Sequence, residues 1–444
     1  MSHTTAVPGT LDAAGRWWNW SGLASSAPTR VVAPQDTAEV AALVTEAAAQ
    51  GTRVKMIGSG HSFTDVAVTD GWLMRPDHLV GVREVDREAM TVTVGSGTPL
   101  HVLNSTLHGL GLALHNMGDI DKQSVAGAIS TGTHGTGGVW ASLAAQVKAL
   151  ELVAADGQVR RVSADRDAEL FHAARIGLGA LGTLTAVTFL VEPAFTLEAV
   201  EEPLTWDAAV GGFDEITAAN HHVDMYWFPH TDRMLVKRNN RTLDVPRPLS
   251  PAREALEDRL LSNTVFGWVN SLGNAAPSLV PRLNRLSSRA LSARSYSDVS
   301  HRVFTSPRDV VFREMEYAVP REVGMQALTE TRALIDRQGW RISFPVEVRS
   351  APADDVWLST AHARDSVYLA FHVNAHTDHR AYFAGVENVM RSYDGRPHWG
   401  KLHTRTAGDL APAYPRWQDF LEVRDRVDPD RVFGNAYLQR VLGP

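Results

Sequence analysis

The stretch with the clearest chemical potential is a glycine-rich loop that carries one histidine, Ile57-Gly58-Ser59-Gly60-His61-Ser62-Phe63. It follows a short strand pattern over residues 53–56. Glycines allow the backbone to turn several N–H groups toward one point, and such a concave group of donors suits a diphosphate. The loop therefore predicts a tightly, even covalently, held dinucleotide. The alternative is that His61 is an ordinary polar residue of a surface loop.

Two further stretches are dense in glycine and other small residues. One runs from Ser124 to Gly137, and the other contains Gly177, Gly179 and Gly182 in a Gly-x-Gly-x-x-Gly pattern. A Rossmann fingerprint needs a strand before this pattern and a helix after it. Here a helix pattern precedes it and a strand pattern follows, so a Rossmann domain is excluded. Taken alone the second stretch is a tight helix-to-strand turn, but three such loops together indicate backbone wrapped around one large ligand.

The C-terminal half contains two candidates for acid–base or electrostatic chemistry. In Phe344-Pro-Val-Glu-Val-Arg349 the alternation of a strand puts Glu347 and Arg349 on one face. The simpler interpretation of that pair is a solvated ion pair on an edge strand. The second candidate is Arg396-Pro-His-Trp-Gly-Lys401, which without other information is a surface turn.

Composition excludes several classes of protein. The 444 residues are 44% hydrophobic and 21% charged, which predicts two or three globular domains with a sizeable core. The formal charge of −7 and the lack of a basic patch argue against nucleic-acid binding. The absence of cysteine excludes disulfides and thiol chemistry. No signal peptide or transmembrane pattern is found, so a cytoplasmic protein is expected, and the histidines lack carboxylates at ligand spacing, so no metal is predicted.

Residue patterning indicates an α+β fold without regular βαβ repeats. Between residues 26 and 193 short strands and helices alternate with glycine loops, including a predicted helix over 36–50 and a hairpin at Asp156-Gly157. The later part predicts further elements: strands over 223–228, 233–237, 315–319, 342–348 and 367–374, and helices over 252–293, 321–337 and 381–391. From Arg396 onward the pattern is rich in turn residues.

The three motifs Ile57-Gly-Ser-Gly-His-Ser-Phe63, Ser124-Val-Ala-Gly127 and Thr131-Gly-Thr-His-Gly-Thr-Gly137 resemble the flavin domain of the vanillyl-alcohol-oxidase superfamily. Within it the chain is similar to sugar-lactone oxidases and alditol oxidases, over most of residues 17–440 and most weakly around 240–310. The resemblance implies an FAD-binding domain of the PCMH type over 17–193, an α+β cap domain with a sheet over the flavin over 194–395, and a C-terminal segment, 396–444, that returns to the flavin.

The resemblance also implies the cofactor and its contacts. In that family the first loop holds the FAD diphosphate, and the histidine at the position of His61 is bonded to the 8α-methyl group of the isoalloxazine. The residues implied to bind the cofactor are Gly58, Ser59, Gly60, His61, Ser62, Gly118, Ser124, Gly127, Thr131, Thr133, His134, Gly135 and Gly182.

The same resemblance assigns roles in the C-terminal half, where Glu-x-Arg and His-Trp-Gly-Lys signatures recur in the family. Glu347 and Arg349 are implied to contact substrate hydroxyls and polarise the reacting centre. Lys401 is implied to stabilise the reduced, anionic flavin. His372, on the predicted neighbouring strand, is a candidate for hydroxyl recognition or proton acceptance, and equally a packed strand histidine.

The expected substrate is an aldono-1,4-lactone, oxidised next to its carbonyl by hydride transfer to flavin N5, with O2 as acceptor and H2O2 as product. Gly118 falls where the family has a residue beside the flavin C4a–N5 edge, and a small residue there leaves room for O2. Three alternatives stay open: an alditol oxidase, against which Asp119 argues because alditol oxidases have serine there; a dehydrogenase that uses a quinone or cytochrome; and a flavin-binding protein without turnover.

Overall fold

The computed structural model describes residues 11–139, 141–250, 276–306 and 310–444. The first part of the chain forms a three-stranded parallel sheet and a five-stranded antiparallel sheet. The three-stranded sheet, in the order β1-β3-β2, is followed along the chain by the five-stranded one, in the order β7-β6-β8-β5-β4. These strands are β1 (Arg30–Val32), β2 (Val54–Met56), β3 (Trp72–Met74), β4 (Val82–Asp86), β5 (Thr91–Gly95), β6 (Val147–Val153), β7 (Val159–Ser163) and β8 (Thr183–Leu190).

Helices of this part pack beside the two sheets: α1 (Thr37–Ala49), α2 (Leu100–Gly109), α3 (Val125–Ser130) and α4 (Ala168–Ala174). Helix α1 shows why the chain folds here as predicted. The Asp36 side chain caps it by accepting the Glu39 N–H, and its apolar residues at helical spacing are buried. The predicted hairpin is also confirmed, because β6 and β7 pair antiparallel around Asp156-Gly157.

The second part forms one antiparallel sheet of eight strands in the order β12-β9-β11-β10-β14-β15-β13-β16. Its strands are β9 (Thr196–Thr205), β10 (His222–Trp227), β11 (Arg233–Thr242), β12 (Arg294–Val299), β13 (Phe312–Pro320), β14 (Val346–Ala351), β15 (Ser366–Asn374) and β16 (Arg396–Pro397). The helices that follow in the chain are α5 (Trp206–Gly211), α6 (Phe213–Ala218), α7 (Val280–Ala290), α8 (Ser300–Phe304), α9 (Gly324–Gln338), α10 (Arg380–Ser392), α11 (Ala407–Leu410), α12 (Trp417–Val427) and α13 (Ala436–Leu442).

The two faces of the eight-stranded sheet differ in chemistry. On β14, Val346 and Val348 belong to an apolar core that also contains residues of α9 and α10. Glu347 and Arg349 alternate with them and line a cavity on the opposite face. Because side chains alternate along a strand, burying the valines against the helices turns the charged pair toward the cavity.

The structure corrects two predictions of secondary structure. The strand predicted over 342–348 begins only at Val346, after Pro345, which has no N–H for a ladder hydrogen bond. The segment after Arg396, in which turn signals are noted and no helix is predicted, contains α12 and α13, which pack into the core of the first part of the chain. Of the helices predicted over 252–293, residues 252–275 lie outside the described residues, and α7 accounts for 280–290. Within the described ranges no helix has the length and apolar character needed to cross a bilayer.

Candidate active site

The three glycine-rich loops of the first part line one cleft, of about 1140 Å³ when the space open to solvent is counted. The loop after β2, the start of α3 and the turn before β8 each contribute a wall. Nine of the predicted cofactor-binding residues lie along it: Gly58, Ser59, Gly60, His61, Ser62, Ser124, Gly127, Thr131 and Gly182. Loops separated by more than a hundred positions in the sequence are thus brought to one elongated site.

At two of these glycines, atoms of a neighbouring segment lie so close to the backbone that a side chain would clash with them. A Cβ atom on Gly58 would lie 2.3 Å from Ser124 Oγ, which itself accepts the Gly127 N–H at the start of α3. Gly182 has φ +150°, and a Cβ there would lie 2.6 Å from the Val153 carbonyl oxygen. Side chains at these positions would push the loops apart and fill the cleft between them.

The cleft offers polar groups that the protein itself does not satisfy. The backbone N–H groups of residues 58–62 have no acceptor in the described part of the chain. The buried Ser96 Oγ and Trp17 Nε1, which also line the cleft, have no hydrogen-bond partner there either. Buried donors are normally paired, and five consecutive N–H groups without an acceptor, in a loop that lines the cleft, fit the diphosphate of a dinucleotide.

His61 lies where this cleft meets a second cavity, since its side chain lines both. Its ring stacks against Trp20 with the centroids 5.9 Å apart. Burial lowers the pKa of His61 to about 4, and the positive charges of Lys401 and Lys122 act in the same direction. The imidazole is therefore neutral at pH 7. Ser62, Gln123 and Thr131 share the junction.

The second cavity, of about 1400 Å³ when the space open to solvent is counted, lies between the polar face of the eight-stranded sheet and the first part of the chain. All four predicted catalytic residues line it, as do three of the predicted cofactor-binding residues that the first cleft lacks: Glu347, Arg349, His372, Lys401, Gly118, Thr133 and His134. Gly135 lines neither cavity. A Cβ at Gly135 would lie 2.2 Å from the Met117 carbonyl oxygen, so glycine there allows two loops to pack together.

Arg349 is held by three carboxylates in this cavity. Its Nε donates to Asp224 Oδ1 at 2.9 Å, and its Nη2 lies 2.5 Å from Glu347 Oε1 and 3.4 Å from Asp119 Oδ2. Burial alone would lower the pKa of Arg349, but Glu347, Asp119 and Asp224 outweigh it and hold the pKa well above its ordinary value. The guanidinium is therefore permanently charged and fixed in orientation.

A second charged group surrounds Glu314, which pairs with Lys401 Nζ and lies 3.4 Å from His372 Nε2. Strand register explains the latter contact, because Glu314 on β13 is directly opposite His372 on β15. Burial tends to raise the pKa of Glu314, yet Lys401 and His372 outweigh it and hold the pKa well below its usual range. His372 Nδ1 lies 3.2 Å from the Pro345 carbonyl oxygen, so each ring nitrogen of His372 faces an oxygen acceptor.

A third buried group contains the one cluster of possible metal ligands found among the described residues: His134, Glu316 and His398, whose ligand atoms lie within 4.8 Å of one another. Hydrogen bonds occupy several of these atoms. His134 Nδ1 lies 2.8 Å from the Gly135 carbonyl oxygen, and its Nε2 lies 3.1 Å from Glu316 Oε1. His398 Nδ1 accepts the Gly400 N–H. The contact between His134 and Glu316 therefore accounts for two members of the cluster by hydrogen bonding within the protein.

The sequence does not single out two residues that line the cavity, Glu314 and Glu316, or Asp224, which contacts Arg349 there. Glu316 lies within the strand predicted over 315–319 and Glu314 directly precedes it, and their alternation with Met315 and Tyr317 is the available signal. That pattern alone is typical of a solvated face. Only the pairing of β13 with β15 shows that the face is covered.

Comparison with known proteins gives the class first. Residues 28–163 match the family model of an FAD binding domain. The fold is shared with cholesterol oxidase from Brevibacterium sterolicum, with a TM-score of 0.80 at 18% identity over 96% of each chain. Together with the cleft and its unsatisfied donors, this defines an FAD-binding flavoprotein with the PCMH-type fold, as the α+β prediction expected.

The family follows from the rest of the chain. Residues 187–441 match the model of D-arabinono-1,4-lactone oxidase. The chain is 41% identical to the L-gulono-1,4-lactone dehydrogenase of Mycobacterium tuberculosis, over 96% of this chain and 99% of the relative. It is 32% identical to bovine L-gulonolactone oxidase and 33% identical to a Streptomyces alditol oxidase, each over 96% of this chain and 98% of the relative. The chain belongs to the D-arabinono-1,4-lactone oxidase family, whose members are FAD-dependent oxidoreductases acting on CH–OH groups.

Proposed function

We propose that the protein oxidises an aldono-1,4-lactone of the L-gulono-1,4-lactone type to the 2-keto lactone. The observation that supports this proposal is that Arg349 and Glu347 line the same cavity as His61, which also lines the glycine-rich cleft. A small polyhydroxylated ring presents several donors and acceptors, and the cavity matches them with fixed charged groups. FAD, when bound, accepts the hydride of the carbon that carries the reacting hydroxyl.

In this proposal, each cavity residue has a distinct task. Arg349 binds the oxygen atoms of the lactone and polarises the reacting centre, while Glu347 accepts a hydrogen bond from a substrate hydroxyl. His372 recognises a substrate hydroxyl, and its ring is oriented by the Pro345 carbonyl oxygen at Nδ1 and by Glu314, 3.4 Å from Nε2. Lys401 supplies positive charge at the end of the cavity nearest Phe63.

We further propose that residues 17–193 form the FAD-binding domain, 194–395 the substrate cap and 396–444 a segment that returns to the flavin. The lining of the cleft supports this division, because it comes from the first part of the chain together with Phe433. The second cavity draws on all three segments, with Gly118, Glu347 and Lys401 as examples.

Anaerobic mixing with candidate substrates tests the function. L-Gulono-1,4-lactone is expected to bleach the visible absorbance band of the flavin, at roughly 450 nm. Faster bleaching by xylitol would instead assign the protein as an alditol oxidase. A flavin that neither compound reduces would contradict turnover of this substrate class altogether.

The electron acceptor is proposed to be O2, and Gly118→Ala is expected to slow reoxidation of the reduced enzyme by O2 by about tenfold, or about 1.4 kcal/mol in barrier. A Cβ at Gly118 would lie 3.0 Å from the His134 carbonyl oxygen and 3.2 Å from Thr133 Cγ2, and both neighbours line the second cavity. The added methyl therefore has to displace this part of the cavity wall, which we expect to hinder access of O2. Stopped-flow reoxidation measures the effect.

Gly109→Ala is the matched control, because a Cβ there meets nothing within 4 Å. Turnover with dye acceptors is expected to survive in both variants. The relative from Mycobacterium tuberculosis is named a dehydrogenase. Slow reoxidation of the unmodified protein by O2 and rapid turnover with a quinone would therefore identify a dehydrogenase and overturn this choice of acceptor.

A further inference from the structure

One cationic side chain in the cofactor cleft has no carboxylate within ion-pair distance in the described part of the chain. Lys55, on β2, is 3% exposed and lines the cleft three residues before Gly58. Its Nζ donates to the Gly179 carbonyl oxygen at 3.1 Å. It forms no ion pair with a carboxylate in the described part of the chain. Lysine is almost never fully buried unless it is paired, so this site is incomplete as the protein alone presents it.

We propose that Lys55 is the counter-charge of the FAD diphosphate and that binding of FAD is coupled to uptake of a proton by this amine. The diphosphate is the anionic part of FAD, whereas its adenine, sugar and ring portions are uncharged at neutral pH. The unsatisfied N–H groups of residues 58–62 lie in the same cleft. Neutral donors and one cation together form a complete anion site.

The surroundings of Lys55 explain the proton coupling. Burial lowers the pKa of Lys55 to about 7; Asp428 raises it, and Arg424 and Arg53 lower it further. Asp428 itself is engaged by the N–H groups of Val432 and Phe433. In the protein without cofactor the amine is thus half-charged near pH 7 and neutral above it. Two negative charges nearby would raise its pKa, so the bound state holds the proton to higher pH.

The sign of the pH dependence follows from this linkage. Below pH 7 the amine is charged with or without FAD, so affinity is independent of pH. Above pH 7 the binding of FAD must be accompanied by uptake of a proton by Lys55. The FAD affinity is therefore expected to fall about tenfold per pH unit until the pH reaches the pKa of Lys55 in the complex. Calorimetry in two buffers of different ionisation enthalpy measures the proton directly.

The experiment uses the full-length chain with His61→Ala, so that FAD can be removed and added back. In this background Lys55→Met is expected to weaken FAD binding by about 10- to 100-fold at pH 6.5 and to abolish proton uptake. Lys55→Arg should keep the affinity and lose the pH dependence, because arginine does not deprotonate in this range. Lys148→Met, at an exposed position, is the control for the change in net charge.

Competition by ADP and by adenosine identifies the part of FAD that Lys55 recognises. Lys55→Met is expected to weaken the binding of ADP and to leave the binding of adenosine unaffected. Equal loss of both would assign Lys55 to the nucleoside and overturn the proposal. Unchanged FAD affinity, together with a lower melting temperature of the cofactor-free protein, would make Lys55 a structural residue only. None of these readouts requires catalytic turnover, so they are independent of the substrate proposed above.

Discussion

Replacing Arg349 with lysine is expected to lower the rate of flavin reduction by lactone by about 10²- to 10³-fold, the usual effect of removing one preorganised donor to a developing charge. The variant keeps a positive charge at the position. It loses the planar group that contacts Asp224 through Nε and Glu347 and Asp119 through Nη2. A single ammonium cannot bridge these acceptors and hold substrate at the same time.

The consequence extends beyond one lost contact. Three carboxylates converge on Arg349 in a buried cavity, and a shorter lysine would leave at least one of them without its hydrogen bond. An unpaired buried charge is strongly unfavourable, so the carboxylates are expected to move or take up protons. We therefore expect kcat to fall together with a rise in KM, because both orientation and binding of substrate depend on this group.

The flavin itself reports whether the effect is specific. The variant is expected to retain a normal flavin spectrum and full cofactor content, since Arg349 does not line the dinucleotide cleft. Arg238→Lys, on the same sheet but paired with Glu202 outside the cavity, is the matched control. Flavin reduction in Arg349→Lys at the rate of that control would remove Arg349 from the proposed mechanism.

Local patterns identified the parts of the site that depend on backbone conformation. At positions 58 and 182 a Cβ atom would clash with neighbouring atoms, which favours glycine there. Such positions can be recognised in a single sequence because they form glycine-rich loops. The alternation through Glu347 and Arg349 likewise identifies a strand with one polar face. These features depend on residues close to one another in the chain.

Residues whose role depends on distant partners were missed. Glu314 is a cavity residue because β13 pairs with β15 in one register, which places it opposite His372. Lys55 is unusual only because the Gly179 loop and the C-terminal segment around Asp428 bury it. Neither fact can be obtained from spacing. By contrast, the helix at Trp417–Val427 has apolar residues at helical spacing, a local signal that the sequence analysis did not use.

His61→Ala is expected to remove the covalent attachment of the flavin that the family resemblance implies. The neutral imidazole, with its pKa lowered to about 4 by burial and by Lys401 and Lys122, has a free lone pair at pH 7 for a bond to the 8α carbon. Its position at the junction of the two cavities is where the ring of an extended dinucleotide would have to pass. Alanine offers no nucleophile there.

Acid precipitation is the measurement. The pellet of the unmodified protein is expected to be yellow, and that of His61→Ala colourless with the flavin in the supernatant. Turnover should fall by about tenfold or more, equivalent to about 1.4 kcal/mol in barrier, because the bond makes the flavin a stronger oxidant. His398→Asn, which alters another cavity histidine outside the cleft, should leave the pellet coloured. A yellow pellet from His61→Ala would place the bond on another residue, and a colourless one from the unmodified protein would show that FAD is held by the cleft alone.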